Sequence, residues 1–383
     1  MPVEFIGYVT GRNQSEIIPG TGPVVDPDYI ATTARVHEDA GFDRVLAAFH
    51  SNSPDSILIA QHAASVTRRL GLLVAHRPGF VAPTLAARQL ATLDQITRGR
   101  VAVHIITGGN DIELQADGDH TTKVERYART DEYLDIVRKE WASQTPFDHQ
   151  GPFYRVHGAQ SQVHPYRPTG ISIYFGGVSD EAIRVAGRHA DAYALWGETY
   201  DEVAGLIARV SASAAANGRP APRFSLSLRP ILAETEDAAW NRAQQIRARI
   251  VDLQGDATQP GASAALDTAG ARPSAETLPT NEGSRRLQRL VARGERLDTR
   301  LWTGVAAVTG GRWNSTSLVG TPDQVAESLL AYYRLGVTMF LIRGFDPISD
   351  AVAYGRDLIP RVRALVAAED ATGDATQINP HAA

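Results

Sequence analysis

The five residues from Gly176 to Asp180, GGVSD, lie between an apolar run, ISIYF, and a stretch with helical periodicity, DEAIRVAGRHA. Adjacent glycines let a ligand approach the backbone closely, and the N–H groups at the start of a helix favour an anion. This pattern is typical of a phosphate site, and equally of a plain strand-to-helix turn capped by Ser179. The GxGxxG spacing of a dinucleotide site is absent, so a bound phosphate would belong to a mononucleotide-like cofactor.

Polar and aromatic residues follow or interrupt several other apolar runs. His50 could donate a proton or have a structural role, and Trp196 could be a core indole or the wall of a cofactor or substrate pocket. Arg229 is one of many arginines in the second half of the chain, and one or two at a shared site would bind a sulfonate, phosphate or carboxylate. His104, within VAVHII, is predicted to be a hydrogen-bonded core residue.

Several kinds of chemistry lack the residues they need. The chain contains no cysteine, which excludes disulfides, thiolate nucleophiles and cysteine-ligated zinc. It shows no HExxH motif, no cluster of histidines and carboxylates at metal-ligand spacing, and no GxSxG motif. We therefore expect neither a metal site nor a serine hydrolase.

The composition is that of a globular protein, with 43% apolar and 21% charged residues among 383. The net charge is −5, and no run of lysine and arginine is interleaved with aromatic residues, so nucleic acid is not expected as a partner. The sequence shows no signal-peptide pattern and no uninterrupted apolar stretch of about 18 residues. These features predict a cytoplasmic protein without a membrane segment.

Short β-rich runs alternate with amphipathic helical stretches, which predicts parallel strands joined by helical crossovers. The predicted strands are EFIGYV, DRVLAAF, LGLLVAH, VAVHIIT, ISIYFGG, DAYALW, FSLSLRPIL and TMFLIRG. A doubly wound sheet would also accommodate them, but eight such units over this length favour an α/β fold of the (β/α)8 TIM-barrel type. In that fold functional side chains gather at the C-terminal ends of the strands.

Two segments interrupt the alternation. Residues 146–170 are rich in proline, glycine and aromatics, and residues 254–318 are long and polar. We expect both to be insertions over the catalytic end of one barrel domain spanning residues 1–368, with a mobile lid at about 254–300. Residues 369–383 are small and polar and are predicted to form a flexible tail.

Five collinear stretches carry a resemblance to a known family. They are APTLAARQLATLDQITRGRVAVHIITGG, ERYARTDEYLDIVRKEW, PFDHQGPFYRVHGA, IYFGGVSDEAIRVAGRHADAYALWGE and SLVGTPDQVAESLLAYYRLGVTMFLIRGFDP. From about residue 4 to 365 the chain resembles the bacterial luciferase-like flavin monooxygenases, and it is most similar to their alkanesulfonate monooxygenase branch.

The resemblance implies a luciferase-like (β/α)8 barrel that uses O2 and FMN as FMNH2, which an NAD(P)H-dependent flavin reductase supplies. In this family reduced flavin and O2 form a flavin peroxide that attacks a small-molecule substrate, and in the sulfonate branch the C–S bond breaks to give an aldehyde and sulfite. A homodimer or homotetramer is also implied. Two alternatives use the same barrel: an oxidoreductase that transfers hydride with the deazaflavin coenzyme F420, and a non-catalytic flavin-binding protein.

The resemblance also suggests roles for individual residues. The residues expected to bind FMN are Gly176, Gly177 and Ser179 at its phosphate, with Thr107, Tyr127 and His76 nearby. The residues expected to act in catalysis are Trp196, Arg229, Tyr332, Arg296 and His50. Among them, Trp196 and Tyr332 match the active-site tryptophan and tyrosine of the branch, and Arg296 matches an arginine on its mobile loop. Asp180 is expected to cap the helix, because a second anion beside the phosphate would repel it.

This chain departs from the branch on its seventh strand. Where the branch has an Arg-x-His pair, the chain reads Ser227-Leu228-Arg229, and Ser53 stands where cysteine is common after the second strand. Alternation along a strand puts Arg229 on the same side as Ser227. We expect the charge of Arg229 to enter the cavity beside Trp196, with Arg296 closing from the insertion, and to bind an anionic substrate.

Overall fold

The computed structural model describes residues 2–256, 281–312 and 315–377. Its strands are β1 (Glu4–Val9), β2 (Arg44–Ala47), β3 (Gly71–His76), β4 (Val101–Ile105), β5 (Phe147–Gln150), β6 (Arg155–Ala159), β7 (Ser172–Gly176), β8 (Ala192–Trp196), β9 (Arg223–Leu232), β10 (Arg296–Leu297), β11 (Leu301–Trp302), β12 (Ser317–Gly320) and β13 (Val337–Ile342).

Helices follow most of the strands. They are α1 (Pro27–Asp39), α2 (Ser56–Ser65), α3 (Pro83–Thr97), α4 (Asp111–Ala116), α5 (Lys123–Ala142), α6 (Asp180–His189), α7 (Tyr200–Ala216), α8 (Glu236–Asp256), α9 (Glu282–Arg293), α10 (Gly304–Thr309), α11 (Pro322–Arg334), α12 (Pro347–Ala353), a π-helical turn (Tyr354–Leu358) and α13 (Ile359–Gln377). In the described part of the chain, none of these helices is long and apolar enough to cross a membrane.

Eight strands close into a parallel barrel in the order β1-β2-β3-β4-β7-β8-β9-β13. Closure is made where β13 returns to β1, with Met339 opposite Glu4, and β8 runs beside β9, with Trp196 opposite Ser227. The predicted (β/α)8 barrel is confirmed, and each of the eight predicted runs overlaps one barrel strand.

Alternate residues of each strand face the inside of the barrel. A compact apolar cluster fills this interior, and its members are Ile6, Leu73, Ala102, Tyr174, Ala192 and Met339. The intervening residues, such as Phe5 and Leu72, belong to the larger core between strands and helices. Alternation therefore decides which side chains at the strand ends reach the barrel mouth.

Local signals set the helix starts. Asp26, Asp55 and Ser179 accept hydrogen bonds from backbone N–H groups in the first turns of α1, α2 and α6, and Pro83 opens α3. Ser179 is the cap predicted from the sequence. Each cap satisfies backbone donors that have no partner inside the helix.

The insertion at 146–170 is not a lid over the barrel. Its strands β5 and β6 form an antiparallel hairpin, and the hairpin is bound to the side of helix α5 by Glu132. That carboxylate accepts hydrogen bonds from the backbone N–H groups of Phe153 and Tyr154 and lies 2.9 Å from a ring nitrogen of His149. The expectation is wrong because the hairpin brings its own donors to a carboxylate on the outer helix layer.

The second insertion, 254–318, contains more regular structure than predicted. Residues 257–280, 313 and 314 lie outside the described residues, so the predicted lid at 254–300 is covered only in part. The remainder forms α9, α10 and the short strands β10 and β11, which continue the sheet outward from β12 on the edge of β9.

Residues 369–377, the first part of the predicted tail, are helical. Helix α13 continues to Gln377, and residues 378–383 lie outside the described residues. Two contacts attach this part of α13 to α11. The hydroxyl of Tyr333 donates to Asp370 at 2.7 Å, and Arg334 pairs with Glu369 at 2.8 Å. These contacts hold residues 369 and 370 of α13 against α11.

Candidate active site

The turn after β7 leaves almost no room for side chains. Gly177 has a φ of +127°, and a Cβ placed on it would lie 2.8 Å from the Cβ of Ala182 and 3.2 Å from the hydroxyl oxygen of Tyr127. A Cβ on Gly176 would lie 3.2 Å from the carbonyl oxygen of Ala194. A ligand at this turn would therefore meet backbone atoms.

Hydroxyl groups border the turn. Ser179 caps α6 by accepting from the backbone N–H of Ala182 at 3.3 Å, and its side chain interacts with the hydroxyl of Tyr127. The neighbouring strand β4 pairs with β7 through Ile105 and Phe175, so Thr107 lies level with the glycines. The Thr107 hydroxyl is buried, and no other described residue hydrogen-bonds to it. A buried hydroxyl of this kind suits a ligand contact, and the glycine turn, Ser179, Tyr127 and Thr107 together fit the phosphate of FMN.

Both carboxylates in the first turn of α6 are neutralised. Asp180 pairs with Arg209 at 2.7 Å, and Glu181 pairs with Lys123 at 3.2 Å. Asp180 is the first residue of the helix and Ser179 is its cap, so the predicted capping role of Asp180 is wrong. The pairing leaves the helix dipole free to favour an anion at this end.

His104 lies inside the barrel and was wrongly predicted to be a satisfied core residue. It alternates with Ala102, which belongs to the interior cluster, and its Cε1 is 3.9 Å from the Cβ position of Gly176. Its Nδ1 is buried, and no described residue bonds to it. Burial lowers the pKa of His104 to about 4, so the ring is neutral at neutral pH and can both donate and accept a hydrogen bond.

Helix α9 lies over the loops that follow β4 and β8. Its residue Gly283 sits against Trp196, since a Cβ there would be 2.9 Å from the indole Cζ3. Asn281, which caps α9, is within 3.2 Å of the Cβ position of Gly109. This helix therefore covers one face of the predicted active-site tryptophan.

A buried ion pair attaches α9 to the barrel. The Nε of Arg286 donates to the carboxylate of Glu198 at 2.8 and 3.0 Å, and its Nη2 makes a further contact. The side chain of Glu198 is only 2% exposed. Nothing in the sequence assigned a role to either residue, although Glu198 follows β8 directly.

His50 is held at the other side of the mouth, at the end of β2. Its Nδ1 lies 3.7 Å from the carboxylate of Glu113, which accepts from Arg77 Nη2 at 2.8 Å. Burial would raise the pKa of Glu113, but hydrogen bonding to His50 and the charge of Arg77 lower it to about 2. The carboxylate is thus ionised and lies beside the imidazole ring. The proposed proton transfer by His50 stays a prediction.

Arg229 and Arg296 do not lie together beside Trp196, where the sequence predicted that they would bind an anion. Arg229 faces the inside of the barrel as expected, but it pairs with Glu16 at 2.7 Å and stacks on Phe345 at 3.7 Å, with its side chain 1% exposed. Arg296 stacks on Trp240 of α8 at 3.6 Å, in the outer layer. Neither guanidinium is an open charge beside Trp196, because an internal carboxylate and an outer indole already engage them.

Tyr332 lies beneath the active-site loop and not on its surface. The residue is fully buried, and its hydroxyl donates to the carbonyl oxygen of Glu198 at 2.6 Å. Burial raises the pKa of Tyr332 well above its usual value. In place of the predicted catalytic contact, the hydroxyl supports the loop that contains Glu198 and follows Trp196 at the end of β8.

His76 points away from the site. It alternates with Arg77 at the end of β3, so it enters the strand–helix layer, where its Nε2 is 2.7 Å from the hydroxyl of Tyr133. Its predicted contact with the cofactor is therefore wrong. Burial lowers the pKa of His76 to about 4, and it lowers the pKa of His37 in the same layer to about 4 as well.

These two histidines predict an acid-sensitive fold. In the unfolded chain these histidines become protonated below pH about 6.5, whereas in the native protein they stay neutral down to pH about 4. The free energy of unfolding therefore falls as the pH is lowered from about 6.5 to about 4. Each histidine should contribute about 1.4 kcal/mol per pH unit to the slope. Urea unfolding between pH 7.5 and 4.5 measures the free energy of unfolding at each pH. In His76→Gln its slope against pH should be smaller by the contribution of about one proton. An unchanged slope in His76→Gln relative to the native protein would contradict the assignment.

No group of three histidine, aspartate or glutamate side chains that could hold a metal ion occurs in the described residues.

The barrel resembles several solved structures in its fold. A riboflavin lyase, RcaE, solved with modified FMN and riboflavin, aligns over 95% of this chain and 92% of its own with a TM-score of 0.75 and 20% identity. The EDTA monooxygenase EmoA from Chelativorans sp. BNC1 aligns over 95% and 94% with a TM-score of 0.74 and 19% identity. The coenzyme F420-dependent tetrahydromethanopterin reductase from Methanopyrus kandleri aligns over 94% and 100% with a TM-score of 0.66 and 17% identity.

The sequence matches a family as well as a fold. Residues 3–339 match the luciferase-like monooxygenase family, and this match covers every strand of the barrel except the last residues of β13. With the glycine turn and the barrel mouth in place, the chain belongs to the luciferase-like monooxygenase family.

Proposed function

We propose that this protein is an FMNH2- and O2-dependent monooxygenase of a two-component system, with a small anionic organosulfur compound of the alkanesulfonate type as its substrate. The observation that carries the cofactor assignment is the glycine turn bordered by Tyr127, Ser179 and the Thr107 hydroxyl, to which no other described residue hydrogen-bonds. Family membership and the similarity to EmoA support oxygenation. The fold alone is compatible with F420 too, since the tetrahydromethanopterin reductase shares it.

Reduced FMN would supply the two electrons that activate O2. In the overall reaction a sulfonate R–CH2–SO3⁻, FMNH2 and O2 give the aldehyde R–CHO, hydrogen sulfite, FMN and water. One oxygen atom of O2 enters the aldehyde and the other leaves as water, while the C–S bond breaks. A separate NAD(P)H-dependent flavin reductase would deliver FMNH2, and the enzyme would work as a homodimer or homotetramer.

Each residue of the site would have a role set by its position. The turn at Gly176 and Gly177 would hold the phosphate, with Ser179, Tyr127 and Thr107 as hydroxyl contacts. His104 would offer a neutral imidazole inside the barrel, and Trp196 would form a wall of the reaction chamber. Helix α9, held by Arg286, would exclude water from the same side.

The test is release of sulfite from a panel of sulfonates in the presence of a flavin reductase, NADH, FMN and O2. We expect sulfite and aldehyde in equal amounts, dependent on both FMN and O2. Tight binding of F420 with none of FMN would favour the hydride-transfer alternative. FMN binding without turnover of any sulfonate would reject the substrate assignment and leave the flavin site intact.

A further inference from the structure

Three charged side chains form a cluster at the barrel mouth where β9, β13 and β1 meet. Glu16, in the loop after β1, accepts from Arg229 Nη1 at 2.7 Å and Nη2 at 2.9 Å. The same carboxylate accepts from Arg343 Nη2 at 2.7 Å. Arg229 also donates to the carbonyl oxygen of Gly344 at 2.8 Å.

Strand alternation places this cluster on the inner side of the barrel. Arg343 comes directly after β13 and four residues after Met339, which belongs to the interior cluster. Tyr8 follows Ile6 of that cluster on β1, and the Arg343 guanidinium lies over the Tyr8 ring at 5.1 Å. The arginine therefore lines the mouth.

Exposure separates the two arginines. The side chain of Arg343 is 24% exposed and that of Glu16 is 21% exposed, whereas that of Arg229 is 1% exposed. Arg229 lies behind the carboxylate, with its Nε buried and without a partner among the described residues. Of the donors of Arg343, only Nη2 has a hydrogen-bond partner in the part of the chain that the structure describes. The outward donors of the cluster thus belong to Arg343.

The cluster carries one positive charge in excess. Burial would raise the pKa of Glu16, but the charges of Arg229 and Arg343 lower it to about 2, so two guanidinium groups face one carboxylate at neutral pH. An excess charge at a partly buried site attracts a counter-ion more strongly than the same charge on an open surface. A monoanion would neutralise the cluster, whereas a dianion would leave a net negative charge.

We propose that Arg343, with Glu16 and Arg229 as fixed neighbours, forms a subsite that binds the anionic group of the substrate and selects monoanions. That the bound anion belongs to the substrate rests on the proposed function, whereas anion binding itself does not. The guanidinium can offer two parallel N–H groups to a sulfonate or carboxylate. The subsite moves anion recognition from Arg229, where the strand pattern had suggested it, to the next strand.

Binding of two isosteric compounds tests the subsite. Methanesulfonate carries one charge, and dimethyl sulfone has nearly the same shape without charge. Calorimetric titration of the full-length protein, with FMN and after anaerobic photoreduction, should show methanesulfonate binding at least about tenfold tighter than dimethyl sulfone, and tighter than sulfate. Equal affinities for the two isosteres, or no binding of methanesulfonate in either state, would overturn the proposal.

Variants then locate the site. Arg343→Met leaves the neutral pair of Arg229 and Glu16 in place, and it should weaken methanesulfonate binding at least about tenfold without changing binding of dimethyl sulfone or FMN. Arg343→Lys should recover part of the loss. Arg289→Met, which removes an exposed charge from α9, should have no effect. Unchanged methanesulfonate binding in Arg343→Met would show that the cluster only anchors the loop.

A second substitution tests the charge count. Glu16→Gln should raise the net charge of the cluster to two and improve sulfate binding relative to methanesulfonate by about tenfold. No shift in this ratio would reject selection by charge. The subsite and the proposed function can fail separately. Methanesulfonate binding that depends on Arg343, without sulfite release, would retain the subsite and reject oxygenation. Sulfite release that Arg343→Met does not change would support oxygenation and reject the subsite.

Discussion

Valine at position 177 is expected to raise the dissociation constant for FMN at least about a hundredfold, a loss of roughly 3 kcal/mol. The φ of +127° at Gly177 is strained for any β-branched residue, and the first added carbon would already be 2.8 Å from the Cβ of Ala182. Relieving the clash would displace the turn from Ser179 and Tyr127. Quenching of flavin fluorescence on titration measures the constant directly.

A matched glycine controls for the effect of a larger side chain. Gly205 lies in α7, and a Cβ there would meet no atom within 4 Å. Gly205→Val should therefore bind FMN as the native protein does, and thermal unfolding should show both variants folded. FMN binding by Gly177→Val with native affinity would place the phosphate elsewhere.

Loss of the Arg286 charge is expected to release helix α9 from the barrel mouth. In Arg286→Met the carboxylate of Glu198, 2% exposed, would be left without its cation, which costs about 3 kcal/mol or more. Because α9 lies outside the eight strands of the barrel, we expect the cost to appear as local opening of this helix. Hydrogen exchange of the α9 amides should become roughly a hundredfold faster, while exchange in the barrel strands should hardly change.

The same helix offers its own control. Arg289 pairs with Glu282 at 2.8 Å, but both side chains are substantially exposed, so Arg289→Met should cost less than about 1 kcal/mol. Adding Glu198→Leu to Arg286→Met should restore part of the protection, since the unpaired carboxylate is then gone. Equal exchange in the two arginine variants would show that the buried pair does not hold the helix.

Short-range patterns explain which predictions were confirmed. The eight strands were recognisable because apolar runs and helical periodicity depend on residues close in sequence. The cap at Ser179 was recognisable because a cap bonds to the backbone two or three residues further along the chain. The glycine turn after β7 was found in the same way, as a local signal between a strand and a helix.

His104 shows where a local pattern fails. Barrel strands are buried on both faces, so VAVHII reads as one apolar run, and the run does not reveal which face is the interior. Only the pairing of β4 with β3 and β7 places His104 with Ala102 inside the barrel. His76 was misplaced for the same reason, since its position at a strand end says nothing about its side.

The sequence by itself determined the order of strands and helices and the turn that would hold a phosphate, because these depend on neighbouring residues. The side that Arg229 faces also followed from alternation along its own strand. Its partner did not, because Glu16 is 213 residues away in the chain and Arg343 is 327 residues from Glu16. Closure of the barrel brings the ends of β9, β13 and β1 together. Only this closure places Glu16 against Arg229 and leaves Arg343 as the arginine that we propose binds an anion.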